Sequence, residues 1–244
     1  MFLLHLSSST RQPSLLALFL SSSAQASVIF LEDFESNPFD QYELLDLSGT
    51  PFGFDDANNL PSDSQYFIRT TDPHIDDSLD YPILNTTGNF IALSNVSALP
   101  SGEGLMVFNP INILGAIDLQ ISLSVAAPSI ASGSYEESDF LKLQYSYDGT
   151  NFSDAISLFG NDNNAGLHLN GTPSQGTAAR TFSEFSATIP SGVGGNLVVR
   201  VAFSSDNREP IAFDNFQVSA STIPEPSSGL LCLLATSFLL RRNH

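Results

Sequence analysis

The sequence predicts an all-β fold, an antiparallel β-sandwich, from two observations. First, apolar residues recur at every second position in several segments, which places one face of each segment in a core and the other in water. Second, clusters of Gly, Pro, Asn, Asp and Ser separate these segments, where turns are expected. The alternation is clearest in the segments 119–125, 141–147 and 197–203. Strands separated by turns in this way are typical of a sandwich of two antiparallel sheets.

Ten strands are expected along the chain. Besides the three segments above, they are 28–34, 66–69, 89–93, 105–108, 152–158, 182–189 and 211–218. The dipeptide Asp148-Gly149 predicts a tight hairpin turn, because such a turn needs a residue with positive φ. Three long polar stretches are expected to be surface loops: 55–64, 70–81 and 160–177.

Residues 1–26 have the layout of a secretory signal peptide and are set aside from the fold. Arg11 supplies positive charge, and a short apolar core follows at 15–20. The small residues Ala24 and Ala26 predict cleavage before Ser27. The sequence therefore predicts export through the secretory translocon, which leaves 27–221 as one β-sandwich domain.

Charge and cysteine content exclude several classes of function. The chain of 244 residues carries 26 acidic and 8 basic residues, a formal net charge of −18. Such a surface repels the phosphate backbone, so nucleic acid is excluded as a partner. The single cysteine, Cys232, lies outside 27–221. Disulfides, thiol catalysis and zinc–thiolate sites are thereby excluded from the domain.

The segment 222–244 has three parts that predict a sorting tail. The motif Pro224, Glu225 and Pro226 holds the chain extended, since proline joins neither helices nor central strands. An apolar segment follows at 229–240, and the basic pair Arg241 and Arg242 ends it. A helix of this length would span about 18 Å at 1.5 Å per residue. A bilayer core is about 30 Å thick, so a short hydrophobic helix and a transient membrane anchor are expected.

This tail resembles the PEP-CTERM signal. In that family a membrane-embedded exosortase recognises the Pro-Glu-Pro motif, removes the tail and passes the protein towards the cell surface. The resemblance implies that Pro224, Glu225 and Pro226 are recognised by an exosortase-like membrane protease. It also implies transient anchoring in the inner membrane of a Gram-negative-type bacterium, followed by a cell-surface or extracellular location.

The domain resembles MAM-like and galactose-binding-like jelly rolls of secreted bacterial proteins. The resemblance lies in a first strand with Asp33-Phe34-Glu35, a Tyr145-Ser146-Tyr147-Asp148-Gly149 hairpin, and a last strand around Asp214 and Asn215. It implies a jelly-roll fold. In that family a cation often joins an acid near the first strand to one in the last. The matching residues are Glu32 or Asp33 with Asp214, so the resemblance implies a structural Ca²⁺ there. The alternative, left open by the sequence, is that Asp214 only caps a turn or bonds the backbone and that the domain has no cofactor.

Catalytic motifs of the common hydrolases are absent from the sequence. His74 and His168 lie in polar stretches and are expected to be solvated or ion-paired. Glu32, Asp33 and Glu35 invite comparison with retaining glycosidases, whose two carboxyl groups lie about 5–5.5 Å apart. On a strand only Asp33 and Glu35 would share a face, and we expect the protein not to be an enzyme.

The function expected from the sequence is that of a non-catalytic exported surface or extracellular-matrix protein, associated with exopolysaccharide or biofilm. A carbohydrate-binding module with a structural calcium is the alternative, and a glycoside hydrolase or lyase ranks below both. The chain has no Trp on which a sugar could stack. Tyrosines that could take that role are Tyr42, Tyr66, Tyr81, Tyr135 and Tyr147. Tyr145 and Tyr147 share the apolar face of their strand and are expected to lie in the core.

Overall fold

Two antiparallel β-sheets pack face to face, which confirms the predicted all-β sandwich. The computed structural model describes residues 26–36, 41–53, 66–75, 82–99, 101–128, 135–192, 194–206 and 209–222. These residues belong to one compact unit, Gln25–Ile223. The strands are β1 Ala26–Glu32, β2 Tyr42–Asp46, β3 Tyr66–Thr70, β4 Phe90–Ser94, β5 Gly104–Phe108, β6 Ile111–Asn112, β7 Ala116–Ala126, β8 Phe140–Ser146, β9 Ser153–Phe159, β10 Leu167–Leu169, β11 Thr177–Ala178, β12 Ser183–Thr188, β13 Asn196–Ser204 and β14 Ile211–Thr222. Two short 3-10 helices, Val96–Ala98 and Pro173–Gln175, interrupt them.

The strand order shows a central role for β14 in the first sheet. That sheet runs β12-β7-β14-β4-β3, with β1 also paired to β14. β14 pairs with β7 on one side, and on the other with β4 and then β1. The second sheet runs β11-β10-β9-β8-β13-β5-β2, with β6 paired to β13. All strand pairs within the two sheets are antiparallel, as predicted for a β-sandwich.

The core lies between the two sheets and is built by the alternating residues. Leu119, Leu141 and Val199 are fully buried, while the residues next to them in sequence are more exposed. Aromatic rings fill the centre, where Phe108 and Phe216 lie with ring centroids 4.3 Å apart. Burial of large apolar side chains is the main source of stability in such a domain.

A second, smaller apolar cluster lies on the other face of the first sheet. Ile75 lies in the segment after β3, and Ile83 lies in the segment before β4. Both cover Phe90 and Ala92 on this face. Both faces of β4 are therefore buried, and all five of its residues are inaccessible. The expectation that 70–81 is a surface loop is wrong at Ile75, which is 2% exposed.

All ten predicted strands are present, and the structure adds four that were not predicted. These are β2, β6, β10 and β11, each of two to five residues. The stretch 160–177, expected to be a surface loop, contains β10. Leu167 and His168 in that strand are 0% and 2% exposed.

The Asp148-Gly149 turn has the predicted backbone geometry in a longer loop. Gly149 has φ 74, and the loop joins Ser146 at the end of β8 to Ser153 at the start of β9. The Asp148 carboxylate accepts the N–H groups of Thr150 at 2.8 Å and Asn151 at 2.7 Å. These hydrogen bonds hold the pKa of Asp148 below its ordinary value.

The two processing segments lie outside the described residues. This applies to the signal-peptide residues Ala24 and Arg11, and to the predicted hydrophobic helix that follows Pro226. Ala26 and Ser27 are described, and both pair with β14. Within the described part of the chain, no helix combines the length and apolar character that crossing a membrane requires.

Candidate cation site and adjoining groove

The residues predicted to bind calcium lie where β1 and β14 pair. Glu32 ends β1 opposite Phe216, and Asp214 precedes a bulge in β14 at which Asn215 has φ 52. Glu32 and Asp214 are buried, at 5% and 8% exposure, whereas Asp33 is exposed. The fold thus brings the first and last strands together, as the jelly-roll resemblance implies.

Local donors already engage these three carboxylates. Glu32 accepts the Phe34 N–H at 2.7 Å, and Asp33 accepts the Glu35 N–H at 3.1 Å. Asp214 accepts the backbone N–H of Asn215 at 2.7 Å and its Nδ2 at 2.9 Å. Burial raises the pKa of Asp214 to about 6, and the negative charges of Glu35, Asp33 and Glu32 add to the effect. Calcium at Glu32, Asp33 and Asp214 stays a prediction.

The carboxylate pair compared with glycosidases does not lie on a strand. β1 ends at Glu32, so the argument that Asp33 and Glu35 share a strand face does not apply. Both oxygens of Glu35 are engaged, because Asn89 donates its N–H at 2.8 Å and its Nδ2 at 3.1 Å. These two hydrogen bonds hold the Glu35 carboxylate against Asn89.

A different set of four acids, brought together by the fold, forms a cluster of carboxylates that could hold a metal ion. Oxygens of Glu136, Asp139, Asp206 and Glu209 all lie within 4.8 Å of one another. Glu136 and Asp139 precede β8, while Asp206 and Glu209 lie between β13 and β14. Because Phe140 of β8 pairs with Ser204 of β13, the two segments meet at the same end of the second sheet. We call this set the four-carboxylate cluster.

Backbone donors fix the two buried members of the four-carboxylate cluster. Asp139 Oδ2 accepts the Glu136 N–H at 2.7 Å, and Oδ1 accepts the Asp206 N–H at 3.0 Å. Glu209 Oε2 shares the Asp206 N–H at 3.3 Å. Asp139 is 1% exposed and Glu209 is 8% exposed, whereas Glu136 and Asp206 are exposed. The cluster is buried on one side and open to solvent on the other.

The electrostatics of the four-carboxylate cluster favour either protons or a cation. Burial raises the pKa of Asp139 well above its usual range. Burial raises the pKa of Glu209 as well, and the charge of Asp139 beside it raises that pKa further. Ionising both groups in a partly dry site is costly unless positive charge compensates them. Convergent carboxylate oxygens are the ligands that Ca²⁺ prefers, so these residues can hold such an ion.

Sequence reasoning missed this cluster because its members match no metal-binding motif. Asp139 and Asp206 are 67 residues apart and meet only through the pairing of β8 with β13. The available signal was a pair of acids just before β8 together with a second pair just after β13, since antiparallel pairing of these strands brings the two pairs to the same end of the sheet. Arg208 lies between Asp206 and Glu209 in the chain but outside the described residues.

A groove of about 400 Å³ opens beside the four-carboxylate cluster. Its lining residues come from the segment before β8, the end of β9 and the turn after β10: Glu137, Phe159, Gly160, Asn161, Asn170 and Gly171. Its volume falls within the range of small-ligand sites in proteins. Among the described residues no Lys, Arg or His lines it, and the polar groups that do are one carboxylate, two side-chain amides and the backbone.

A network of charged and aromatic side chains lies on β8, β9 and β13. Lys142 Nζ is 3.7 Å from Asp154 Oδ2, and 5.3 Å from the ring centre of Phe159. Arg200 donates from Nε to Gln144 at 2.7 Å. The two basic residues are thus paired with acceptors or rings on the protein itself.

The two histidines of the domain lie in different environments. His74 is exposed, as predicted, and its N–H donates to Asp72 at 2.9 Å. The prediction of a solvated His168 is wrong, because β10 buries it to 2% exposure. His168 Nδ1 lies 2.8 Å from Thr177 Oγ1, while its Nε2 is buried without a hydrogen-bond partner in the part of the chain that the structure describes. Burial lowers the pKa of His168.

Three of the tyrosines considered for sugar stacking are core residues. Tyr42, Tyr66 and Tyr135 are at most 6% exposed, so their rings are not available to a ligand. Tyr145 and Tyr147 are half-buried and pack against the edge of the main core, so the expectation that they lie in the core is met only in part. Tyr81 lies outside the described residues.

No family model matches the sequence, and no curated protein matches it. Solved structures with a similar fold include the CBM22-1–GH10 modules of Clostridium thermocellum endo-1,4-β-D-xylanase 10B, at 14% identity and a TM-score of 0.43. That match covers 79% of this chain but only 28% of the xylanase chain. The K1 cleaved adhesin domain of Lys-gingipain from Porphyromonas gingivalis W83 matches at 11% identity and a TM-score of 0.45, over 81% of this chain and 99% of that one. The CBM22-1 xylan-binding domain of Paenibacillus barcinonensis Xyn10C matches at 7% identity and a TM-score of 0.39, over 83% and 99%. Identities this low carry no ligand or activity over to this chain.

Proposed function

We propose that this chain is a non-catalytic exported protein of the cell surface or extracellular matrix, stabilised by a calcium ion at the four-carboxylate cluster. Export through the translocon, recognition of Pro224, Glu225 and Pro226 by an exosortase-like protease, and association with exopolysaccharide belong to the same proposal. They are supported by the signal-peptide layout and by the PEP-CTERM-like tail.

One observation carries the calcium part of the proposal. Asp139 and Glu209 are buried, and their oxygens lie within 4.8 Å of those of Glu136 and Asp206. Four carboxylates cannot all be ionised there without compensation, and an extracellular protein meets Ca²⁺ at high concentration. The ion would join the segment before β8 to the β13–β14 connection and so stabilise that end of the sandwich.

The first test is the unfolding temperature of the protein in chelator and in Ca²⁺. A ligand at 100 times its dissociation constant adds about 2.7 kcal/mol, which raises the Tm of a domain of this size by roughly 5–10 °C. Glu209→Gln should remove this calcium-dependent gain while leaving the apo protein at least as stable, since it removes a buried charge. Asp118→Asn, at an exposed position in β7, is the matched control and should keep the gain.

The same measurement separates the two candidate calcium sites. Asp139→Asn should remove the gain in Tm if the four-carboxylate cluster binds the ion. Asp214→Asn should remove it if the ion lies at Glu32, Asp33 and Asp214. A Tm that is identical in chelator and in Ca²⁺ for the unaltered protein would rule out calcium at both.

A second candidate function, binding of polysaccharide as a carbohydrate-binding module, is favoured by the groove. The groove combines the half-buried ring of Phe159 with the amides of Asn161 and Asn170 and the carboxylate of Glu137. A glycoside hydrolase or lyase ranks below both functions. The carboxylates compared with glycosidases, Asp33 and Glu35, are engaged by donors of the protein itself.

A further inference from the structure

We infer that the groove lined by Glu137, Phe159, Gly160, Asn161, Asn170 and Gly171 is the site at which the protein binds a short stretch of a neutral polysaccharide. The inference rests on the second candidate function and gives it a location and a class of ligand. It follows from the way the groove is built, from the chemistry of its lining and from its charge.

The groove walls are fixed by contacts within the protein. Asn161 donates from Nδ2 to the Gly171 carbonyl at 3.2 Å, which ties the end of β9 to the turn after β10. Its Oδ1 accepts the Asn163 N–H at 3.0 Å. Asn170 donates from Nδ2 to Gln175 at 3.0 Å, and its own backbone N–H donates to Ser157 at 2.8 Å. Both amides are therefore oriented before a ligand arrives, which lowers the entropic cost of binding.

Gly160 joins the groove to the four-carboxylate cluster. Its N–H donates to the Asp139 carbonyl at 2.8 Å, and it packs against the backbone of Tyr135 and Glu136. Glu137, which lines the groove, lies in the turn that Glu136 and Asp139 close by two hydrogen bonds, Glu136 N–H to the Asp139 carboxylate and Asp139 N–H to the Glu136 carbonyl. A cation at the cluster would hold this wall in place, although the groove itself is formed by side chains outside the cluster.

The lining matches the chemistry of a sugar. Sugars present hydroxyl groups that donate and accept hydrogen bonds, together with a less polar face formed by ring C–H groups. Glu137 offers an exposed acceptor, and Asn170 offers an exposed amide with both donor and acceptor atoms. Phe159, half-buried at the end of β9, offers an apolar surface. A purely apolar ligand would cover the exposed Glu137 carboxylate without offering it a hydrogen-bond donor, which is unfavourable.

The charge of the site selects against anionic ligands. Glu137 lies in the groove, the four-carboxylate cluster lies beside it, and the whole chain carries a net charge of −18. Among the described residues no Lys or Arg lines the groove, and Lys142, 5.3 Å from the ring centre of Phe159, already lies 3.7 Å from Asp154. Like charges disfavour association, so uncharged sugars are selected over uronic-acid polymers.

The inference is tested by affinity electrophoresis of the full chain through native gels that contain a neutral glucan, a mannan or a galactan, with alginate as the anionic probe. All gels contain Ca²⁺, so that the cation proposal does not limit the outcome. We expect at least one neutral polymer to slow the protein, and alginate not to slow it. Glu137→Gln and Phe159→Leu should each weaken that retention about tenfold, as loss of one good contact does. Glu184→Gln, an exposed acid of β12 in the other sheet, should bind like the unaltered protein.

The outcomes separate the failure of the site from the failure of the function. Equal retention of the unaltered protein and both groove variants would overturn the groove as the site and leave polysaccharide binding standing. Absence of retention in all three neutral gels would overturn both. Retention by alginate alone would overturn the neutral ligand class. Unfolding curves of the variants check that they are folded, and Glu137→Gln, at an exposed side chain, keeps the test decisive if Phe159→Leu is unstable.

Discussion

Gly160 lies so close to Glu136 that a Cβ atom built on Gly160 would be 1.9 Å from the Glu136 carbonyl oxygen. The end of β9 and the segment before β8 thus touch through their backbones. This contact joins the groove to the four-carboxylate cluster, and it accounts for a glycine at position 160.

Gly160→Ala should therefore destabilise the protein through steric overlap with backbone atoms, which cannot move aside as a flexible side chain can. Overpacking of this kind costs about 1–3 kcal/mol. Urea unfolding of the two proteins measures the difference. Gly194→Ala is the control, because a Cβ at Gly194 would meet nothing within 4 Å. Equal destabilisation by both changes would contradict the contact with Glu136 as the cause, because loss of backbone freedom in the unfolded chain would by itself stabilise the folded protein.

The four-carboxylate cluster predicts an unusual pH dependence of stability in chelator. The folded-state pKa values of Asp139 and Glu209 are raised, so the folded protein holds protons that the unfolded chain releases. Their contribution to stability is present below the ordinary carboxyl pKa and is lost as pH rises through the raised values. The free energy of unfolding should therefore fall between about pH 5 and about pH 8.

Saturating Ca²⁺ should cancel that decline, since the cation stabilises the ionised carboxylates. The double variant Asp139→Asn/Glu209→Gln should show a flatter profile in chelator over the same range. Urea unfolding at a series of pH values measures both effects. A profile of the unaltered apo protein that rises throughout this range would contradict the proposed burial of these two acids.

His168 predicts the opposite dependence at lower pH. Its folded-state pKa is lowered by burial, so below the ordinary histidine value of about 6.5 the unfolded chain binds a proton that the folded protein does not. Its contribution to stability is therefore lost as pH falls through that value. In saturating Ca²⁺, which cancels the opposing contribution of Asp139 and Glu209, His168→Leu should reduce the loss of stability between about pH 7 and about pH 5, and His74→Gln, at an exposed histidine, should not. Thermal unfolding at the two pH values distinguishes them.

The processing proposal predicts the ends of the mature protein. Intact mass and terminal peptides from the native host should show a start at Ser27 and an end near Pro224. An Ala26→Leu change should impair the first cleavage, because the signal protease needs a small residue there. A mature protein that retains residues beyond Pro226 would contradict removal of the tail.

The sequence was informative where structure depends on short-range pattern. Alternation in 119–125, 141–147 and 197–203 predicted β7, β8 and β13, because a strand with one buried face must place apolar residues at every second position. β10 was not predicted because Leu167-His168-Leu169 is too short to show a hydrophobic periodicity and lies among Gly and Asn residues, which indicate a loop. Its burial depends on pairing with β9 and β11, which the local sequence does not encode.

The candidate sites depend on long-range contacts and were less accessible to sequence reasoning. The proximity of Glu32 to Asp214 was foreseen only through a family resemblance. The four-carboxylate cluster required the pairing of β8 with β13, and the groove required the positions of β9 and β10. A single sequence gives residue types at these places but not which of them meet.

The position of β14 has a consequence for the timing of folding. β1 is the first strand to be made, and its ladder partner among the described residues is β14, the last. β7 and β4 also need β14 to complete the first sheet. A nascent chain cannot close this sheet until nearly all of it has been synthesised, so it stays open during synthesis. An open chain is the form that a secretory channel can thread, so if the protein is exported as proposed, the sandwich would close only on the far side of the membrane.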